Sequence, residues 1–365
     1  MTITFYCNFI SHHELPLSLA FIDEVGEENF HFVACEPIHE ERTKMGYEDE
    51  SKKYPFVVRP YESDPAHQEA IRLAEESDIV IIGSATPEYH EIRLRNNKLT
   101  FLYRERLFKN GTWHRFYPPT AYQLYKVYTR ARNRNFYLLA ASAYAAGDVQ
   151  LCGFREEKCL KWGYFPELLP QVSKSFEKLR IMWCGRMLWW KHPEDAVEAA
   201  RYLKEKGIDF EMKIIGNGEK RELVENLIKD NELSDWVQVY DFMPPTEIRN
   251  IMNETNVYLF TSGKQEGWGV VLNEAMNSGC AVIANNHAGS APYLIKDRKS
   301  GFLYDGTKQS LHLAIDDLLK SNLTAISDTA FHTIKDKWSP AEAAKNLIKF
   351  ATTLQYLPEG PCSKA

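Results

Sequence analysis

The chain has 365 residues, too many for one ordinary hydrophobic core, so two domains are expected. Its 44% apolar and 26% charged residues are those of a soluble globular protein. A net charge of −6 and an isoelectric point near 6.0 argue against a nucleic-acid binder.

The opening MTITFYCNFISHHELPLSLAF has no basic n-region and no long apolar run, so no standard signal peptide is expected, and a cytoplasmic location is. The longest apolar runs, at residues 79–82, 137–141 and 280–284, are strand-sized, far short of the ~20 residues that cross a bilayer. Cys7, Cys35, Cys152, Cys159, Cys184, Cys280 and Cys362 form no CxxC pair, and four of them sit in apolar, strand-like stretches. Reduced, buried thiols are expected, and no zinc.

In chain order, residues 3–6, 30–34, 79–82, 99–103 and 137–141 read as strands. Between the second and third lies AHQEAIRLAEE, residues 66–76, whose Ala70, Leu73 and Ala74 recur at helical spacing. Such alternation predicts a parallel sheet covered on both faces. WGYFPELLPQVSKSFEK, residues 162–178, carries two prolines and a polar stretch and reads as a linker. A second series follows, with strands at 180–184, 211–215, 237–240, 257–260, 280–284 and 301–304. Helices at 194–206, 219–230, 246–253 and 270–278 alternate with them, and helices at 309–320 and 340–355 close the chain. The expected fold is α/β, with two doubly wound Rossmann-like domains facing each other across a cleft that receives the ligands.

The segment QEGWGVVLNEAMNSG, residues 265–279, is the most informative. Gly267-Trp268-Gly269 is unsuited to helix, so Glu266 belongs to the loop leaving strand 257–260. The helix begins near Val270, turns Leu272, Ala275 and Met276 to one apolar face, and stops at Gly279. Glu266 and Glu274 thus straddle a glycine-bounded helix N-terminus, where first-turn N–H groups form an anion site. A diphosphate on those amides with carboxylates on sugar and ribose hydroxyls is one reading; two solvated glutamates on an ordinary strand–loop–helix is the other.

EGWGVVLNEAMNSGCAVIA resembles the Glu-x7-Glu signature of family-4 glycosyltransferases, which have the GT-B fold. The likeness runs from about residue 181 to 301, and more loosely over the chain. In WCGRMLWWKHPEDAVEAA, Arg186 and Lys191 match the family's basic pair that holds the donor diphosphate, where fixed cations stabilise the leaving group. The resemblance implies that Glu274 holds the ribose and Glu266 the transferred sugar, with Gly267, Trp268, Gly269 and Val270 beside the donor. Gly216-Asn217-Gly218 matches the family's glycine turn, and Tyr240-Asp241-Phe242 precedes the nucleobase segment. The family retains anomeric configuration by front-side attack in which the donor phosphate takes the acceptor proton, so no protein nucleophile is required. No DxD occurs, consistent with a metal-independent transfer. No cofactor is expected, the nucleoside-diphosphate sugar being a co-substrate.

The sequence departs from the family in two places. The usual glycine-proline-Glu segment reads Gly289-Ser290-Ala291-Pro292-Tyr293, without the acid, and Gly83-Ser84-Ala85 stands where many members carry a histidine. His90, or Arg104 with Glu105, are candidate replacements. His12 and His13 follow the first strand; they are candidate donor or acceptor contacts, or loop histidines satisfied by backbone and water. SHHELP, EERTKMGY, GSATPE, FLYRERLFKNG, SAYAAGD and KWGYFPE resemble a bacterial branch tied to surface-polysaccharide assembly.

From Arg93 to Arg134 there are eleven Lys/Arg and one acid, Glu105, together with Trp113, Phe116, Tyr117, Tyr122, Tyr125 and Tyr128. That composition suits a membrane surface or a polyprenyl-diphosphate acceptor; a solvated basic helix with its tyrosines packed inward is the alternative.

The expected domains are an acceptor-side domain at 1–165, a linker at 166–178, a nucleotide-sugar domain at 179–338 and a helix at 339–365 returning to the first. The expected function is hexosyl transfer from a nucleoside-diphosphate sugar to a glycan or lipid-linked glycan in capsule, exopolysaccharide or lipopolysaccharide assembly. A nucleotide-sugar epimerase or phosphorylase on the same scaffold is the near alternative. A nicotinamide oxidoreductase using Gly216-x-Gly218 is more distant, since Arg221 stands at the last glycine place of GxGxxG. A catalytically dead carbohydrate- or membrane-binding module is a further alternative.

Overall fold

The computed structural model describes residues 1–39 and 48–365. The EERTKMGY segment, residues 40–47, lies outside the described residues. Two compact units are present: Met1–Glu167 with Lys337–Ala365, and Leu168–Asp336.

The first unit is built on seven parallel strands, β1 (Ile3–Cys7), β2 (Phe30–Ala34), β3 (Val57–Val58), β4 (Ile79–Ile82), β5 (Thr100–Arg104), β6 (Phe136–Ala140) and β7 (Cys159–Lys161). They lie in the order β3-β2-β1-β4-β5-β6-β7. The unbroken apolar run of β4 follows from the topology, because helices cover both faces and leave no polar side. Ser63 caps the Asp64–Glu76 helix by accepting the Ala66 N–H, with proline in the first turn. Ser339 does the same for Pro340–Thr353 through the Glu342 N–H. That last helix packs on Leu15–Val25 and sets Phe350 edge-on against Phe101 and Tyr137, at 6.1 and 5.1 Å between ring centroids. The chain end then covers the β7 edge, where Lys161 N–H donates to Ser363 O (2.8 Å) and Cys362 N–H to Lys161 O (2.9 Å).

Several expectations change here. Trp162 and Phe165, read as linker, are core residues of the first unit, and Phe165 stacks on Trp338. Arg93, counted in a basic surface, is 0% exposed. It donates to the carbonyls of Ala74, Ser77 and Leu99 and to Thr100 Oγ1, tying the Pro87–Asn96 helix to its neighbours. Tyr128 is buried as well, whereas Trp113, Phe116, Tyr117, Tyr122 and Tyr125 are each more than half exposed.

The second unit has six parallel strands, β8 (Leu179–Cys184), β9 (Phe210–Ile215), β10 (Val237–Tyr240), β11 (Val257–Phe260), β12 (Ala281–Asn285) and β13 (Phe302–Tyr304). Their order is β10-β9-β8-β11-β12-β13. The direction of winding reverses between β8 and β11, so the loops leaving these two strands part around a crevice at their carboxyl ends. In the first unit the reversal falls between β1 and β4. Residues 168–178 are anchored to the second unit. Leu169 N–H donates to Asn277 Oδ1 (2.9 Å), and half-buried Lys174 donates to the carbonyls of Met252 (2.6 Å) and Thr255. Among the described residues no helix is long and apolar enough to cross a membrane.

Candidate functional site

The crevice of the second unit brings Lys191 and Glu266 together. Lys191 ends the short turn Trp189–Lys191 after β8, Glu266 lies in the loop after β11, and the ammonium is ion-paired to the carboxylate. Three further contacts clasp the two loops. Thr261 Oγ1 donates to Lys191 O (2.5 Å) while accepting from Trp183 Nε1 (2.8 Å), and Gly263 N–H donates to Trp190 O (2.8 Å). Position 263 has no room to spare, since a Cβ there would meet His192 Nε2 at 3.0 Å. Arg186, on the same loop as Lys191, is exposed and forms no ion pair among the described residues. One cation of the expected pair is therefore open to an anion and the other is neutralised in place.

The glycine turn supports this loop from below. A Cβ on Gly216 would lie 1.9 Å from Gly185 O, and one on Gly218 2.8 Å from Met187 O. Only glycine allows the β9 turn to press against the backbone on either side of Arg186. Met187 N–H donates to Asn217 O (2.8 Å), Trp189 N–H to Glu219 Oε1 (2.7 Å). Asp241 accepts from Asn217 Nδ2 (3.1 Å) and from Phe242 N–H (2.8 Å), which places the exposed Phe242 ring beside the turn. The helix expected from residue 219 begins at Arg221, because Glu219 is occupied with Trp189.

Beyond Glu266 the chain folds as read, with Val270 as N-cap of a short Val271–Asn277 helix. Gly269 has φ +85°, and a Cβ would meet the Phe260 ring at 2.3 Å. Trp268 is buried and donates from Nε1 to Asn273 Oδ1 (2.8 Å). Ser290 Oγ donates to Trp268 O (2.6 Å), so the segment that lacks the family's acid braces the Glu266 loop through its serine. Burial pushes the half-buried Glu274 carboxyl above its usual range, with Arg249 acting against it. Arg249 donates to Glu274 O (2.7 Å) and Asn277 Oδ1 (2.6 Å). Sequence reading missed Arg249; it is one more cation on an amphipathic helix, and only the packing of Pro245–Glu254 against Val271–Asn277 brings it there.

The first unit holds a separate cavity of about 490 Å³ at its own switch point, walled by Asn8, His13, Glu14, Ser84, Arg104 and Glu105 among others. Arg104 is committed to the carbonyls of Ile82 (2.8 Å) and Gly83 (2.6 Å), and Glu105 to Lys109 (2.6 Å) and Tyr164 Oη (3.2 Å). His12 stands off the cavity wall with its ring 4.0 Å from that of His13. Burial pushes the Cys7 thiol in this wall up to about 12, which keeps it protonated. His90 is a correction. It is 5% exposed, set edge-on to Phe136 (5.2 Å), absent from the cavity wall, and driven down to about 4 by burial and by Arg104. It is a neutral core histidine and does not replace the family's ligand histidine.

Two α/β units with parallel sheets and reversed winding make the fold GT-B, and residues 166–333 match the model of the family described as glycosyl transferases group 1. That match spans nearly the whole of the second unit. AmsK of Erwinia amylovora, an amylovoran biosynthesis glycosyltransferase, is 36% identical over 141 residues, covering 37% of this chain and 34% of that protein. WcaL of Escherichia coli K12, a glycosyltransferase named for colanic acid biosynthesis, is 31% identical over 196 residues, covering 51% and 46%. The chain therefore spans less than half the length of these relatives. The crystal structure of Anabaena Alr3699/HepE in complex with UDP superposes with a TM-score of 0.70 at 14% identity, covering 97% of this chain and 100% of that one. That likeness concerns the fold.

Proposed function

We propose that the protein is a retaining, metal-independent hexosyltransferase of the family-4 type. It moves a sugar from a nucleoside-diphosphate donor to a glycan or lipid-linked glycan in surface-polysaccharide assembly. The observation that carries the proposal is the Lys191–Glu266 ion pair at the β8/β11 switch point, with Arg186 exposed on the same loop and in no ion pair among the described residues. Relatives named for amylovoran and colanic acid biosynthesis and a fold neighbour crystallised with UDP support the substrate class.

In this reading Arg186 and Lys191 bind the diphosphate. The bond from the anomeric carbon to the phosphate oxygen breaks as the acceptor hydroxyl attacks the same face, and that phosphate oxygen takes the hydroxyl proton. The two cations stabilise the departing charge in a partly desolvated crevice. Glu266, released from Lys191, accepts hydroxyls of the transferred sugar, and Glu274 accepts those of the ribose. Phe242 lies at the nucleobase end. The cavity with His13, Arg104 and Glu105 takes the acceptor, and the enzyme works in the cytoplasm at the inner face of the membrane.

Purified protein is expected to be stabilised thermally by UDP or GDP and to release one of them from a nucleotide sugar. Isomerisation of the donor without acceptor would mark an epimerase instead. Full release by both Glu266→Ala and Lys191→Ala would sink the site assignment.

A further inference from the structure

The connection between β5 and β6 exposes aromatic surface in a way its sequence leaves open. Trp113, Phe116 and Tyr117 lie on or beside the short Thr112–Phe116 turn, and Tyr122 and Tyr125 on or just after the Pro118–Leu124 helix that packs on it. All five rings are more than half in solvent, as Leu151 nearly is. Two of the five, Phe116 and Tyr125, share one surface with Leu151. Phe116, Leu124, Tyr125 and Leu151 line one open groove of about 370 Å³ with Arg115 at its rim. A contiguous apolar surface of this kind on a folded domain marks a binding face.

Charge decides which partner fits. In a chain of net charge −6, residues 106–134 contain no acid. Arg115 lies over the Phe116 ring (4.6 Å) and Lys126 over Tyr122 (4.6 Å), and neither forms an ion pair among the described residues. Arg93, Arg104 and Arg130 drop out of the basic stretch, the first two bound to backbone carbonyls and the third held by Glu91 at 2.6 and 3.0 Å. What remains is a small cationic rim on an aromatic and aliphatic floor. Tyrosine and tryptophan settle at the headgroup level of a bilayer, and paired cations answer anionic phosphate there.

We infer that Trp113–Tyr125 with Leu151 forms a face that seats on an anionic lipid bilayer, the groove taking acyl or prenyl chain and Arg115 and Lys126 the headgroup phosphates. This deepens the membrane-face reading above and rests on it; donor binding is independent of it. The full chain is floated with vesicles containing phosphatidylglycerol and with vesicles of phosphatidylcholine alone, at low and high salt. Binding to the first, weakened by salt, is expected. Arg115→Gln with Lys126→Gln should weaken it about thirtyfold, from roughly fivefold per cation at an anionic surface. Phe116→Ser with Tyr125→Ser should abolish it. UDP-induced thermal stabilisation, unchanged in both variants, certifies that they fold. Absence of wild-type binding overturns the face and the membrane reading together. Equal binding by wild type and variants overturns the face alone. Self-association removed by the same substitutions, without vesicle binding, overturns it in favour of an interface between copies.

Discussion

Glu266→Gln separates two roles of one carboxylate. Glu266 neutralises Lys191, with the two side chains 16% and 17% exposed. Exposed pairs contribute about 0–1 kcal/mol, and breaking a fully buried one costs about 3–5 kcal/mol; this burial places the pair at about 1–2 kcal/mol. An incoming diphosphate needs the same ammonium and must displace the carboxylate. Removing its charge takes away about 1 kcal/mol of that competition, which is about fivefold tighter binding of UDP or GDP. The same change removes the acceptor for the sugar hydroxyls, so turnover should fall about 10²–10³-fold, as when one preorganised active-site group is lost. Calorimetric titration of the nucleotide beside a nucleotide-release assay reads both effects. Lys191→Met should lose affinity and turnover together. Unchanged or weaker nucleotide binding by Glu266→Gln would refute the competition argument. Unchanged binding by Lys191→Met would remove the lysine from the diphosphate grip.

Gly216→Ala puts a Cβ 1.9 Å from Gly185 O at φ +139° and must displace the Arg186 loop. A stability loss of about 2–4 kcal/mol and at least about tenfold weaker nucleotide binding are expected by urea titration and calorimetry; a wild-type midpoint would contradict the contact. Arg93→Met strips the buried carbonyls of Ala74, Ser77 and Leu99 of their donor, and should cost about 3 kcal/mol or prevent folding. A loss under about 0.5 kcal/mol would show that water replaces it. Glu198 is held down to about 2 by Arg201, His312 and Lys308 against the cost of its burial. Its folded value lies below the unfolded one near ~4.3, so its contribution is present above that pH and lost as pH falls toward 2. After discounting for solvent at Lys308 this amounts to about 2 kcal/mol, and Glu198→Gln should flatten stability against pH over that window. Equal pH slopes for wild type and variant would refute it.

Much of the second unit was legible because its signals are local. Strand 237–240 and strand 257–260 coincide with β10 and β11, and the other four strand bounds differ from the observed ones by a residue. Gly269 and Gly279, at φ +85° and +70°, mark the turns at which helix starts and stops were read. The first unit was less legible. Leu15–Val25 and Pro87–Asn96 have weak helical periodicity, and β3 and β7 are too short to carry a pattern.

The sequence alone determined which residue types stand at the carboxyl ends of β8 and β11, because glycine, lysine, arginine and glutamate at those spacings answer backbone geometry and charge, both local properties. Tertiary structure alone decided who meets whom. It paired Lys191 with Glu266 and left Arg186 exposed, brought Arg249 onto the Glu274 helix, and sent His90 and Arg93 into the core. It also turned the rings of Trp113, Phe116, Tyr117, Tyr122 and Tyr125 out to solvent while burying Tyr128. Those outcomes depend on desolvation and on partners distant in the chain, and the identity of a single residue does not encode either.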